Sequence, residues 1–166
     1  MLQGIFASHT QVGGRPAETL THANQVLARR RVESRFATVV YGEISPDGQL
    51  TYCNAGHNAP LLIGKQDQRR LQKGGLILGA FPQATFEEEV VQLYPGDVLV
   101  AFSDGITEAM NNVGEEFGED RLLECINTHR ELQPKHLLER VFETVRQFSG
   151  GSTQYDDLTA LVLRYG

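Results

Sequence analysis

Two short apolar runs frame the C-terminal half of this chain, and each meets carboxylates at a loop. Val98-Leu99-Val100-Ala101-Phe102 leads into Ser103-Asp104-Gly105. Tyr155-Asp156-Asp157-Leu158-Thr159 opens the run that continues to Leu163. Runs of this length and composition read as buried strands. The segment between them is patterned as helix, so the two acidic motifs can meet only if the strands are neighbours with the helices looped out between them. That requirement narrows the fold to a sheet that closes across a helical excursion. Each motif alone has an ordinary structural reading, since Asp-Gly turns are common and adjacent acids often do no more than cap a loop. Strand-end carboxylates with room for water also suit a hard divalent cation such as Mg²⁺ or Mn²⁺. A hydrolytic metal centre is therefore the first functional expectation.

The rest of the chain supplies both kinds of element. The opening residues Met1-Leu2-Gln3-Gly4-Ile5-Phe6-Ala7 have no polar leader and read like the middle of a helix. Pro16 starts a helix in which Ala17, Leu20, Ala23, Val26 and Leu27 recur at i, i+3 and i+4. Arg29-Arg30-Arg31 closes it, with cations suited to a helix C-terminus, or else forms a partner-binding patch. Residues 36–44 and 49–55 are rich in β-branched and aromatic side chains, and Ser45-Pro46-Asp47-Gly48 between them predicts a hairpin turn. A further strand is expected over 60–63, with 69–72 pairing back. Gly74-Gly75-Leu76-Ile77-Leu78-Gly79 lacks the Gly-Lys-Ser/Thr ending of a phosphate loop and reads as a tight structural turn. Residues 85–93 predict a strand carrying Glu87-Glu88-Glu89, and Pro95-Gly96-Asp97 a turn before 98–102. One helix is expected around 121–126. Another starts at Pro134, with Leu137, Leu138, Val141, Val145 and Phe148 on one face, and ends at Gly150-Gly151. Together these patterns predict an α+β fold, an antiparallel sheet or β-sandwich flanked by helices, with residues 1–166 as a single domain.

Composition removes some functions. A hydrophobic content of 40% and a charged content of 22% are those of a soluble globular protein. The net charge of -6 argues against non-specific nucleic-acid binding. It also means that a phosphate-bearing substrate would need bound cations to offset the field. Cys53 and Cys125 lack CxxC spacing, so two buried free thiols in a reducing cytoplasm are expected rather than a zinc or redox site. Neither a signal peptide nor a bilayer-length apolar run is visible, which points to a cytosolic protein without a membrane partner.

Six short segments, in order, carry a resemblance. They are Phe36-Ala37-Thr38-Val39-Val40-Tyr41-Gly42; Tyr52-Cys53-Asn54-Ala55-Gly56-His57-Asn58-Ala59-Pro60-Leu61-Leu62; Gly74 to Gly79; Pro95-Gly96-Asp97; Ser103-Asp104-Gly105-Ile106-Thr107-Glu108-Ala109; and Asp156-Asp157-Leu158-Thr159. Each is weak alone, but the ordered set is specific. The chain resembles the C-terminal two-thirds or so of the metal-dependent PPM (protein phosphatase 2C) superfamily, in its bacterial SpoIIE-type branch.

The resemblance implies two Mg²⁺ or Mn²⁺ ions held by carboxylates and hydrolysis of a phosphoserine or phosphothreonine by an activated water. It implies Asp104 and Asp156 as metal ligands, Asp157, Gly105 and Thr159 as supports around them, and Asn54 and His57 as loop-ordering or substrate-side residues. His57 invites an acid or ligand reading too, but ordering of its loop is the favoured one. His9, His22, His129 and His136 fall on expected helices and are given no chemistry. The family's N-terminal Gly-Asp-Val-Ser-Gly-Lys-Gly-like segment, whose Asp bridges the metals, has no counterpart, since the first Asp of the chain is Asp47. The expectation is an N-terminally truncated domain of a longer regulator with a sensor or receiver domain upstream. Its exposed sheet edge would allow a homodimer. The branch's typical substrate is a phosphorylated STAS-type anti-anti-sigma factor in a partner-switching pathway. A catalytically inactive interaction module and a small-molecule phosphohydrolase are the alternatives.

Overall fold

A computed structural model describes residues 14–29, 36–65, 67–150 and 157–166. In chain order its elements are α1 (Pro16–Arg29), β1 (Val39–Ile44), β2 (Gln49–Ala55), β3 (Leu61–Ile63), β4 (Gln68–Arg70), β5 (Gly74–Gly75), β6 (Glu89–Gln92), β7 (Val98–Phe102), α2 (Asp104–Thr107), α3 (Gly118–His129), α4 (Pro134–Ser149) and β8 (Ala160–Arg164). The fold is α+β with antiparallel sheets, as the residue pattern predicts. Arg30, Arg31, His9 and the opening residues 1–7 lie outside the described residues. The chain divides into two compact units, one built from residues up to 59 with 71–93, the other from 60–70 with 94–166.

In the first unit, β1 and β2 form the expected hairpin, from Val39 opposite Ala55 to Ile44 opposite Leu50. β6 pairs antiparallel with the other edge of β2. The apolar stripe of α1 follows its periodicity, with Leu20 and Ala23 buried together with Cys53, Ala55, Leu78 and Phe86. Buried Asn24 ties α1 down. Its Nδ2 donates to the Phe81 carbonyl at 2.9 Å, and its Oδ1 accepts the Gly79 N–H at 2.8 Å.

Two expectations are corrected here. Gly74 and Gly75 form a short parallel strand beside Asn54 and Ala55, not a turn. A Cβ on Gly74 would overlap the Asn54 backbone, so glycine is required by close approach of two chains. The strand expected over 85–93 is confined to Glu89–Gln92. The three acids serve three different partners: Glu87 pairs with Lys73, Glu88 holds Arg15 and accepts the Ala17 N–H at the start of α1, and Glu89 accepts the Tyr52 hydroxyl. A carboxylate at a helix N-terminus is favourable because it meets unpaired N–H groups.

In the second unit the sheet runs β4-β3-β7-β8, antiparallel throughout. Burial alternates along β7, with Val98, Val100 and Phe102 buried. That face packs with Leu61 and Ile63 against Leu122, Cys125, Ile126, Leu137, Val141 and Val145 of the helices. Period two in the strand thus meets period 3.6 in the helices. α4 ends as the sequence predicts, at Gly150 in the left-handed region (φ 57°), whose N–H reaches the Arg146 carbonyl. Both cysteines are buried free thiols. Among the described residues, no helix is long and apolar enough to cross a membrane.

Candidate metal centre

The sheet brings together the two runs that frame the C-terminal half. β7 and β8 are neighbours, in register from Val98 opposite Arg164 to Phe102 opposite Ala160. One step beyond that register stands Ser103, and it knots the strand ends. Its N–H donates to the Thr159 carbonyl at 2.9 Å, and its Oγ accepts the Thr159 N–H at 3.1 Å. The same hydroxyl donates to the Asp157 carbonyl at 3.1 Å. The segments carrying Asp104 and Asp157 therefore leave the sheet side by side. Asp156 itself lies outside the described residues.

Asp104 is exposed and is the first residue of α2. Its Oδ1 accepts the N–H of Gly105 at 3.0 Å, which steadies one oxygen at the helix start. Gly105 is buried within this one-turn helix, and the Glu108 N–H closes the turn on the Asp104 carbonyl at 2.8 Å. The atoms that Thr159 contributes to the tie are its backbone N–H and C=O. The side chain that makes the tie is Ser103, to which sequence reasoning gave no role. Its adjacency to Asp104 at the end of an apolar run was the available signal.

Asn54 and His57 belong to the first unit and are described by themselves. Asn54 is buried at the end of β2. Its Oδ1 accepts the His57 N–H at 2.8 Å, and its Nδ2 donates to the carbonyls of His57 at 2.9 Å and Leu71 at 3.3 Å. The loop is thus ordered by Asn54 acting on the backbone of residue 57. The imidazole takes no part in that clamp, and its Nδ1 lies 3.1 Å from the Thr38 hydroxyl. His22, His129 and His136 sit on helices, with His129 Nδ1 2.9 Å from the Cys125 carbonyl of its own helix.

The donor set fits a hard cation in kind. Asp104 and Asp157 present carboxylate oxygen without sulfur or imidazole nearby in sequence, the chemistry preferred by Mg²⁺ and Mn²⁺. Among the described residues, no group of three His, Cys, Asp or Glu side chains is gathered closely enough to hold a metal ion.

Residues 1–166 match the family described as Stage II sporulation protein E (SpoIIE). Protein IcfG of Synechocystis is 30% identical over 130 residues, covering 77% of this chain and 20% of its own length. Phosphoserine phosphatase RsbU of Bacillus subtilis is 27% identical over 167 residues, covering 99% of this chain and 49% of its own. The chain thus spans about half or less of the length of these curated relatives. Among solved structures, the SiaA PP2C domain of Pseudomonas aeruginosa superposes with a TM-score of 0.82 at 21% identity, covering 98% of this chain and 66% of that one. The fold is that of PP2C phosphatase domains, and the chain belongs to the SpoIIE family.

Proposed function

We propose that this chain is part of a metal-dependent serine/threonine protein phosphatase, acting on a phosphoprotein of the STAS-type anti-anti-sigma class in a cytoplasmic partner-switching pathway. The observation that carries the reading is the Ser103 knot, which ties the strand end that leads into Asp104 to the backbone of Asp157 and Thr159 at one end of β7 and β8. Family membership and the name of RsbU, a phosphoserine phosphatase, support the reaction class.

Asp104 and Asp156 are the residues that would hold Mn²⁺ or Mg²⁺, with Asp157 as a support to them. When bound, such a cation supplies Lewis acidity and offsets the charge of the phosphate. The chain's own contribution is positional. Ser103 fixes the separation of the two loops, and α2 holds Asp104 at a strand end open to water. Asn54 fixes the backbone around His57 in its own unit.

The test is turnover by the full-length protein with Mn²⁺ on a serine-phosphorylated STAS-domain protein. Release of phosphate that Asp104→Asn lowers by two orders of magnitude or more supports the reading. A wild type that binds the phosphoprotein without turnover sinks it in favour of a non-catalytic interaction module. Faster turnover of small phosphate esters than of phosphoprotein moves the substrate class to small molecules.

A further inference from the structure

Six residues beyond Asp104 the chain forms a small, tightly built loop with an apolar tip. Met110 and Glu116 bridge at its root. Asn111 braces the interior: its Oδ1 accepts the N–H groups of Val113 at 3.0 Å and Glu115 at 2.9 Å, and its Nδ2 donates to Glu115 Oε2 at 2.9 Å. Its N–H reaches the Glu115 carbonyl, and its carbonyl accepts the Gly114 N–H. Gly114 adopts φ +81°, a conformation that L side chains rarely take. Below the root, Phe117 is buried and stacks edge-on to Phe148 at 5.4 Å, while Arg121 grips the Glu116 and Phe117 carbonyls. On this frame Val113 is 79% exposed and Met110 40% exposed. The braced backbone holds an aliphatic side chain in water where a polar turn residue would be the ordinary choice.

Position says what covers it. From Asp104 the chain makes one helical turn and two further steps to Met110. At about 1.5 Å per helical residue and about 3.5 Å per extended one, the loop's root stands within about 13 Å of Asp104. A protein partner of ordinary size covers about 800 Å² on each side, a disc of about 16 Å radius. A folded phosphoprotein whose phosphoserine reaches Asp104 therefore spans the loop's root. Charge adds the complement: Glu108, Glu115 and Glu116 are exposed, and no Lys or Arg occurs from Asp104 to Asp120.

We propose that Val113 and Met110 are specificity-determining residues that dock the protein substrate through an apolar spot ringed by basic side chains. The inference rests on the phosphatase reading above and names the part of the surface that separates a protein substrate from a small ester. Because the loop is built before binding, little conformational entropy is lost on docking.

The experiment uses the full-length protein with Mn²⁺ and two substrates, a serine-phosphorylated STAS-domain protein from the same genome and p-nitrophenyl phosphate. Val113→Ser keeps the N–H that Asn111 holds, so the loop survives. Val113→Ser combined with Met110→Ser should raise KM for the phosphoprotein about tenfold, the scale expected for two lost apolar contacts. The phosphoprotein kcat and all p-nitrophenyl phosphate kinetics should be unchanged. An unchanged phosphoprotein KM, or an equal loss on both substrates, overturns the proposal. A wild type that turns over neither substrate overturns the phosphatase reading, and the docking role falls with it.

Discussion

Asn54 shows how much one side chain can fix. It is buried, and its three hydrogen bonds go to backbone groups on two separate stretches of chain. Asn54→Ala removes the partner of the Leu71 carbonyl in the interior and of the half-buried His57 N–H and C=O, which costs about 1–3 kcal/mol by the usual penalty for an orphaned buried polar atom. A lower urea midpoint with an unchanged slope is the expected readout. Cys53, its neighbour on β2, reports on the same interior. Burial, and then the negative charge of Glu88, push its thiol up to about 11 from an ordinary value near 9. The folded state therefore keeps this proton where the unfolded chain loses it. The associated stability is whole below pH 9 and falls as pH rises from 9 towards 11. Urea titrations across that window should show the decline, and Cys53→Ala should flatten it. Both cysteines should resist thiol reagents until the protein unfolds.

At the scale of elements, strands and helices with a clear period were legible, and close approaches between chains were not. β2 and β7 match their sequence reading residue for residue, because β-branched runs bounded by turn residues leave few alternatives. Pro134 and Gly150 bound α4 for equally local reasons. The β5 pairing was hidden because Gly74-Gly75 looks the same in a turn and in a strand squeezed against a neighbour. Only the position of the Asn54 backbone tells the two apart. Gly74→Ala should therefore cost more than 3 kcal/mol, or fail to fold, while alanine at an ordinary turn glycine costs less. Thermal melting of the variant decides it. The candidate site was legible in the same uneven way. Asp104 and the Asp156-Asp157 pair announced themselves as acids at strand ends, although Asp156 lies outside the described residues. Ser103 did not, since a hydroxyl's role depends on which backbone groups the folded sheet brings within reach.

For the whole molecule, the net charge of -6 sets the terms on which a divalent cation acts. If Asp104 holds such an ion, adding Mn²⁺ to the full-length protein should raise its Tm, because a ligand of the folded state alone stabilises it by mass action. At a hundredfold excess over Kd the gain is about 2.7 kcal/mol. Asp104→Asn should remove most of the shift, and Na⁺ at equal ionic strength should not reproduce it. An equal shift in the variant would assign the ion elsewhere. The pairing of Phe102 with Ala160 also has a consequence in time. Everything from α2 through α4 is looped out between those two residues, so β8 can add to the sheet only after a long stretch of chain has been drawn closed. Contacts of such sequence separation carry a large entropy of closure and form slowly. The Ser103 knot is thus among the later features to be made as this chain folds, and until β8 joins the sheet nothing ties the end of β7 to the backbone of Asp157.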